Sequence, residues 1–208
     1  QFGEGLLHET YGSTEGGIIS NLRPDDQLKK LQCVGQAFPC TEIKTLTASG
    51  NICEPNEVGE LFSTSPYLFN GYWKRPDETK EALVDGWLTV GDMARQDEDG
   101  YLYIVDRKKD MVISGGVNIY PREIEDVLHN HPNIQDVAVI GVPDEKWGES
   151  LKAFIVTPNP DALKSEEVLS FCEQNISKIK TPKIIEFIDS IPRNANGKIL
   201  KTTLRKDS

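Results

Sequence analysis

Apolar and polar residues alternate in short runs through the first half of the chain, the period of strands with one covered face. Residues 42–47 (EIKTLT) follow this pattern into the turn-rich ASGNICEPNE, and GELFSTS, from Gly59, resumes it. Residues 101–105 (YLYIV), entered through the turn signal DEDG, predict another strand. One short helix is expected here. Pro76 suits a first helical position, where no N–H is required, and Asp77 and Glu78 suit the positive end of a helix dipole. In the second half, residues 111–114 (MVIS) predict a short strand that breaks at Gly115 and Gly116. Pro121 opens a helix with Ile124, Val127 and Leu128 along one face. Residues 134–142 are almost continuously apolar, as a buried strand requires, and 151–156 and 183–188 predict two more strands. Between them Ser165 is placed to cap a helix that ends near Asn175. Strand, helix and strand within the second half make a small α+β domain. The boundary is expected in the charged segment DRKKD, residues 106–110, giving domains 1–106 and 107–208.

Charge alters this picture. The net charge of −10 falls on residues 1–106, with 18 acids against 8 bases, while 107–208 hold 15 of each. A chain this acidic is a poor nonspecific nucleic-acid binder. Between Ile176 and Ser208, however, eight Lys or Arg face only Glu186, Asp189 and Asp207. That stretch reads equally as a solvated mixed-charge face or as a surface that meets a small phosphorylated ligand. No apolar run approaches the roughly 20 residues of a membrane span. The opening QFGEGLLHET has neither the basic region nor the apolar core of a signal peptide. Its missing initiator methionine suggests a piece of a longer protein. Cys33, Cys40, Cys53 and Cys172 show no metal-ligand spacing and read as free thiols of the cytoplasm.

Several motifs carry functional groups, each with an ordinary alternative. YGSTEGG (11–17) offers a ring, two hydroxyls, a carboxylate and glycines; it can hold a nucleotide and Mg²⁺, or form a capped polar turn. WLTVGD ends in Asp92, a carboxylate able to accept two ribose hydroxyls, or an Asp in a turn. Arg107 presents a planar fork that suits ribose or phosphate oxygens, whereas Lys108 beside it reads as solvated linker. Ser114, Gly115 and Gly116 permit either a close backbone approach to a ligand or a turn with positive φ. PRNANGK (192–198) fails the phosphate-loop pattern at Pro192 and Ile199, and leaves Lys198 on a polar loop. His129 and His131 are two apart, so a helix would not bring them to one face, and no nucleophilic triad can be argued.

The order of these motifs is more specific than any one of them. YGSTE, GEL, GYW, GWLTVGD, the long block DGYLYIVDRKKDMVISGGVNIYPREIE and PRNANGKILK together resemble the adenylate-forming superfamily, nearest to bacterial fatty-acid–CoA and 4-coumarate–CoA ligases. The resemblance implies an α+β fold, with a β-rich distorted-barrel subdomain followed by a small mobile C-terminal domain. It implies an acid–CoA ligase that uses ATP, Mg²⁺ and coenzyme A to turn a carboxylic acid into acyl-AMP and then acyl-CoA. By the same resemblance Tyr11 stacks on adenine, within a loop of Gly12, Ser13 and Thr14. Thr14 contacts the α-phosphate, Glu15 helps hold Mg²⁺, Asp92 binds the ribose and Arg107 assists. Lys198 bridges the acid, the α-phosphate and the ribose oxygen. Lys109 is the hinge, and Ser114, Gly115 and Gly116 line the pantetheine tunnel.

Two departures stand out: Val90 replaces a frequent threonine, and Asp106 a frequent glycine. The family's main phosphate loop and most of its acyl pocket lie upstream of YGSTE. The chain is therefore expected to be the C-terminal part of such an enzyme, and inactive alone. An adenylation module that loads a carrier protein, or a binding module that retains only the fold, are the alternatives.

Overall fold

The computed structural model describes residues 5–159 and 163–206. Glu4, Asp161 and Asp207, counted in the charge balance, lie outside them, as does the rest of residues 1–4 of the opening segment. The chain divides into two compact units, Gln1–Lys108 and Lys109–Ser208. The fold is α+β in class and strand-rich.

The first unit holds two sheets. β1 (Glu9–Ser13), β2 (Gly17–Leu22) and β3 (Gln36–Ala37) form a small antiparallel one. The larger sheet runs β6 (Leu83–Val84), β7 (Trp87–Leu88), β5 (Gly59–Thr64), β8 (Asp92–Gln96), β9 (Leu102–Arg107), with β4 (Glu42–Leu46) also on β5. β5 takes β4 along one edge and shares the other between β7 and β8, so closure would have to join β4 to β6 or β9. Among the described residues no such pairing exists, and the expected barrel is an open sheet. Backbone bonds between Leu102 and both Val34 and Gly35 tie the small sheet to the large one. Leu61, Ala94 and Leu102 form the core at this junction, with Tyr11, Val34, Ile43 and Ile104 packed around them. The helix expected after Pro76 is α1 (Pro76–Ala82).

The second unit is a five-stranded sheet between two helical layers. β10 (Val112–Ser114) and β11 (Val117–Ile119) form a hairpin at one edge. β12 (Asp136–Asp144) and β13 (Gly148–Val156) pair antiparallel along all nine residues, and β14 (Ile184–Phe187) lies parallel to β13. Val137 and Val139 join Leu151, Ala153 and Ile155 in a core closed by Ile124 and Leu128 of α2 (Pro121–His129) and Val168 and Cys172 of α3 (Ser165–Asn175). The alternate residues Ala138, Ile140 and Val142 face the opposite way, with Phe154, Val156, Ile191 and Leu204 of α4 (Lys201–Lys206). Coverage on both faces explains why the period-two signal vanishes between 134 and 142. The strand itself starts later, because Ile134 closes a turn on the His131 carbonyl. Ser165 is already helical. Its expected capping role passes to Glu167, whose carboxylate accepts the Lys164 backbone N–H at 3.2 Å.

Candidate active site

In the first unit three strands deliver one polar cluster. Tyr11 of β1 donates its hydroxyl to Asp92 Oδ2, 81 positions along the chain. Arg107 stands opposite Asp92 in the β8–β9 register, and its Nε donates to Asp92 Oδ1 at 2.8 Å. The guanidinium also reaches the Val90 carbonyl at 3.0 Å. Asp92 is buried, and its two oxygens carry roughly four acceptor positions, of which Tyr11 and Arg107 each use one. Burial above all, then the Asp92 charge and hydrogen bond, pushes the Tyr11 hydroxyl up, against the opposing pull of Arg107. Tyr11 therefore remains a protonated donor. Both ladders are irregular here, between Tyr11 and Gly12 and between Met93 and Ala94, as is common where a strand must aim a side chain.

The hairpin turn after Tyr11 sorts the YGSTEGG residues. At Gly12 an added Cβ would lie 2.0 Å from the Gly17 carbonyl oxygen, so the hairpin itself excludes a side chain. Ser13 Oγ accepts the Gly16 N–H at 3.0 Å, a turn-capping use, while Thr14 is exposed. Glu15 is held through Oε1 by the Tyr72 hydroxyl at 2.7 Å, and that bond raises the Tyr72 phenol. Tyr72 is held in turn by Thr79 of α1, whose Oγ1 accepts its N–H at 2.9 Å. The motif order already contains GYW, yet Tyr72 carries no chemical role in the sequence reading. Among the described residues no three His, Cys, Asp or Glu side chains converge as a metal cage.

Lys108, read as solvated linker, lies at the unit boundary and also makes one surface pair. Its ammonium pairs at 2.7 Å with Glu60, which also accepts the Thr89 hydroxyl at 2.8 Å. Lys108 is well exposed, so the pair contributes little stability.

The second unit holds the lysine loop. Asn194 Oδ1 accepts the N–H groups of Asn196 and Lys198, at 3.0 and 2.9 Å, and the Asn194 N–H donates to the Lys198 carbonyl at 2.9 Å. Gly197, at φ +80°, completes the turn. The Lys198 side chain is exposed, and among the described residues no carboxylate pairs with it. Its basic neighbours differ. Lys180, Lys183, Arg193, Lys201 and Arg205 pair with Glu123, Asp144, Asp136, Glu125 and Asp110. The mixed-charge reading thus holds for these five residues.

Gly115 and Gly116 both take positive φ, in the turn between β10 and β11. At Gly115 a Cβ would lie 2.7 Å from the Trp147 ring, whereas at Gly116 it would meet open space. Ser114 is buried in β10. Lys109 is exposed in the 3-10 turn Lys108–Asp110, directly before the Asp110 carboxylate that Arg205 holds at 2.9 Å.

Residues 1–73 match the family model described as AMP-binding enzyme, and residues 123–198 match its C-terminal domain. The chain belongs to the AMP-binding enzyme family. Asp92 and Arg107 fall between the two matched stretches, and Lys198 is the last residue of the second. A long-chain-fatty-acid–CoA ligase of Escherichia coli O157:H7 is 42% identical over 202 residues, 97% of this chain and 36% of that protein. A 2-succinylbenzoate–CoA ligase of Bacillus cytotoxicus is 40% identical over 96% of this chain and 41% of its own length. Among AMP-binding structures, the o-succinylbenzoate CoA synthetase of Bacillus subtilis, solved with its acyl-adenylate intermediate, superposes with a TM-score of 0.89 at 36% identity, over 95% of this chain and 40% of that one. The chain thus spans about two-fifths of the relatives it matches.

Proposed function

We propose that this chain supplies the ribose site and the catalytic lysine of an ATP-dependent acid–CoA ligase, which forms acyl-AMP and then acyl-CoA. The observation that carries the reading is the Tyr11–Asp92–Arg107 cluster. A buried carboxylate fixed by two donors is pre-oriented to accept a diol on its remaining acceptor positions. Tyr11 would then present its ring to adenine. Thr14 and Glu15 would face the phosphates, and Lys198 would stand between the acid carboxylate and the α-phosphate. Two anions must approach in that step, and a cation between them offsets their repulsion. The relatives are CoA ligases, which favours coenzyme A over a carrier protein as the thiol.

Mg²⁺ fits this site only together with a nucleotide. Glu15 offers one carboxylate with Oε2 left for a cation, and Mg²⁺ characteristically takes one or two carboxylates plus phosphate and water oxygens. When bound, it would neutralise phosphate charge. Lys109 would be the pivot that brings the lysine-bearing unit to and from the nucleotide, and Ser114, Gly115 and Gly116 would border the path of the pantetheine arm. The reaction would take place in the cytoplasm, where ATP and coenzyme A are available.

The test is AMP binding to the whole enzyme by calorimetry. Asp92→Ala should weaken it by about 10- to 100-fold, the worth of one or two hydrogen bonds to a charged group. The variant should also lose any preference for AMP over its dideoxyribose analogue. Wild-type affinity and preference in the variant would remove the ribose assignment.

A further inference from the structure

The loop that carries Lys198 is short, glycine-containing and exposed, and such a segment does not hold a side chain in one place unaided. Two residues around it supply the restraint. Arg193 lies at the loop's entrance, bridged to Ile199 at its exit. Its Nη2 grips both oxygens of Asp136, at 2.9 and 2.8 Å, and its Nη1 donates to the Gly197 carbonyl at 2.9 Å. Asp136 is the first residue of β12, which pairs with β13 along all nine of its residues, and its Oδ1 also accepts the Val137 N–H at 3.0 Å. One planar cation therefore spans from a rigid strand to the peptide that immediately precedes Lys198. Beyond the strand, Asn194 takes the Lys198 N–H directly, so both sides of that peptide are held.

The sequence shows Arg193 and Asp136 57 positions apart, with nothing to connect them. If Arg193 served only as a surface charge, a single contact to either carboxylate oxygen would suffice, and the Gly197 bond would have no purpose. A fork that satisfies three acceptors at once needs the guanidinium geometry, which a lysine cannot reproduce.

We infer that Arg193, anchored on Asp136, is a positioning residue that fixes where Lys198 is presented during acyl-adenylate formation. This rests on the function proposed above for Lys198. A displaced ammonium would still carry its charge, but it would occupy the place between carboxylate and α-phosphate for a smaller fraction of the time. The loss therefore falls on turnover and not on nucleotide affinity.

The experiment uses the whole enzyme and follows acid-dependent pyrophosphate–ATP exchange, with thioester formation from supplied acyl-AMP as a second readout. Arg193→Ala should lower kcat for exchange by about 10- to 100-fold with KM for ATP unchanged, the range typical of lost support around a reacting group. Arg193→Lys should recover little of it, since the charge returns without the fork. Thioester formation from acyl-AMP should stay at the wild-type rate in both variants, which a merely misfolded unit could not do. Wild-type exchange in Arg193→Ala would overturn the inference, and so would a parallel fall in both reactions or full rescue by Arg193→Lys. Lys198→Ala, run alongside, separates the two levels. Exchange lost there but kept in Arg193→Ala removes only the role of Arg193. Exchange kept in Lys198→Ala removes the underlying assignment as well.

Discussion

The Asp144 carboxylate accepts the Lys183 ammonium on Oδ2, and the backbone N–H groups of Lys146 and Trp147 on Oδ1. These contacts, the Lys183 bond foremost, lower its carboxyl to about 2. A depressed carboxyl contributes its stability in full above its ordinary value, near 3.8, and loses it as pH falls through about 2. Asp144→Asn should therefore flatten the acid limb of the stability curve between about pH 4 and pH 2, measured by thermal unfolding at a series of pH values. An unchanged limb would show that Asp144 carries none of it. Asp92, Arg107 and Lys198 were singled out only through the order of the motifs, because each of them alone also reads as an ordinary turn, linker or surface residue. Gly12 and Gly115 were harder. Their glycines answer to the Gly17 carbonyl, across the tight β1–β2 turn, and to the Trp147 ring, 32 positions along the chain, neither of which the pattern of apolar and polar residues reveals.

Helix and strand placement followed local rules wherever one face dominated. β4 and β5 alternate, and α1 and α2 each begin on a proline with acids behind it. The β6–β7 hairpin escaped notice although its signal was present. Asp85 and Gly86 both take positive φ, the two-residue turn that an Asp-Gly pair favours. Strands of two residues are simply too short for a period to register. What joins the elements was not legible at all. Glu125 of α2 takes the Lys201 ammonium of α4 at 2.7 Å, with both side chains close to nine-tenths buried, and also accepts the Val139 N–H of β12 at 2.8 Å. Lys201→Ala would leave that carboxylate buried with only its backbone donor. It should lower local stability by about 2–3 kcal/mol, read as lost hydrogen-exchange protection in α2 and β12. Undiminished protection would mean that the pair contributes no more than a surface contact.

Across the whole chain, acidic residues gather in the first unit, with 18 acids against 10 bases, while the second holds 15 against 13 and matches six of its cations to carboxylates of the same unit. Composition showed the imbalance but not the matching, which depends on contacts such as Arg193 with Asp136. Lys198 is an exposed cation on a loop held by Arg193 and Asn194, with no carboxylate paired to it among the described residues. The most direct measurement is acid-dependent pyrophosphate–ATP exchange by the whole enzyme carrying Lys198→Ala. Loss of the cation should reduce exchange by at least about 100-fold, the scale of removing one preorganised electrostatic group from a reacting centre. Exchange at the wild-type rate would contradict the role given to Lys198.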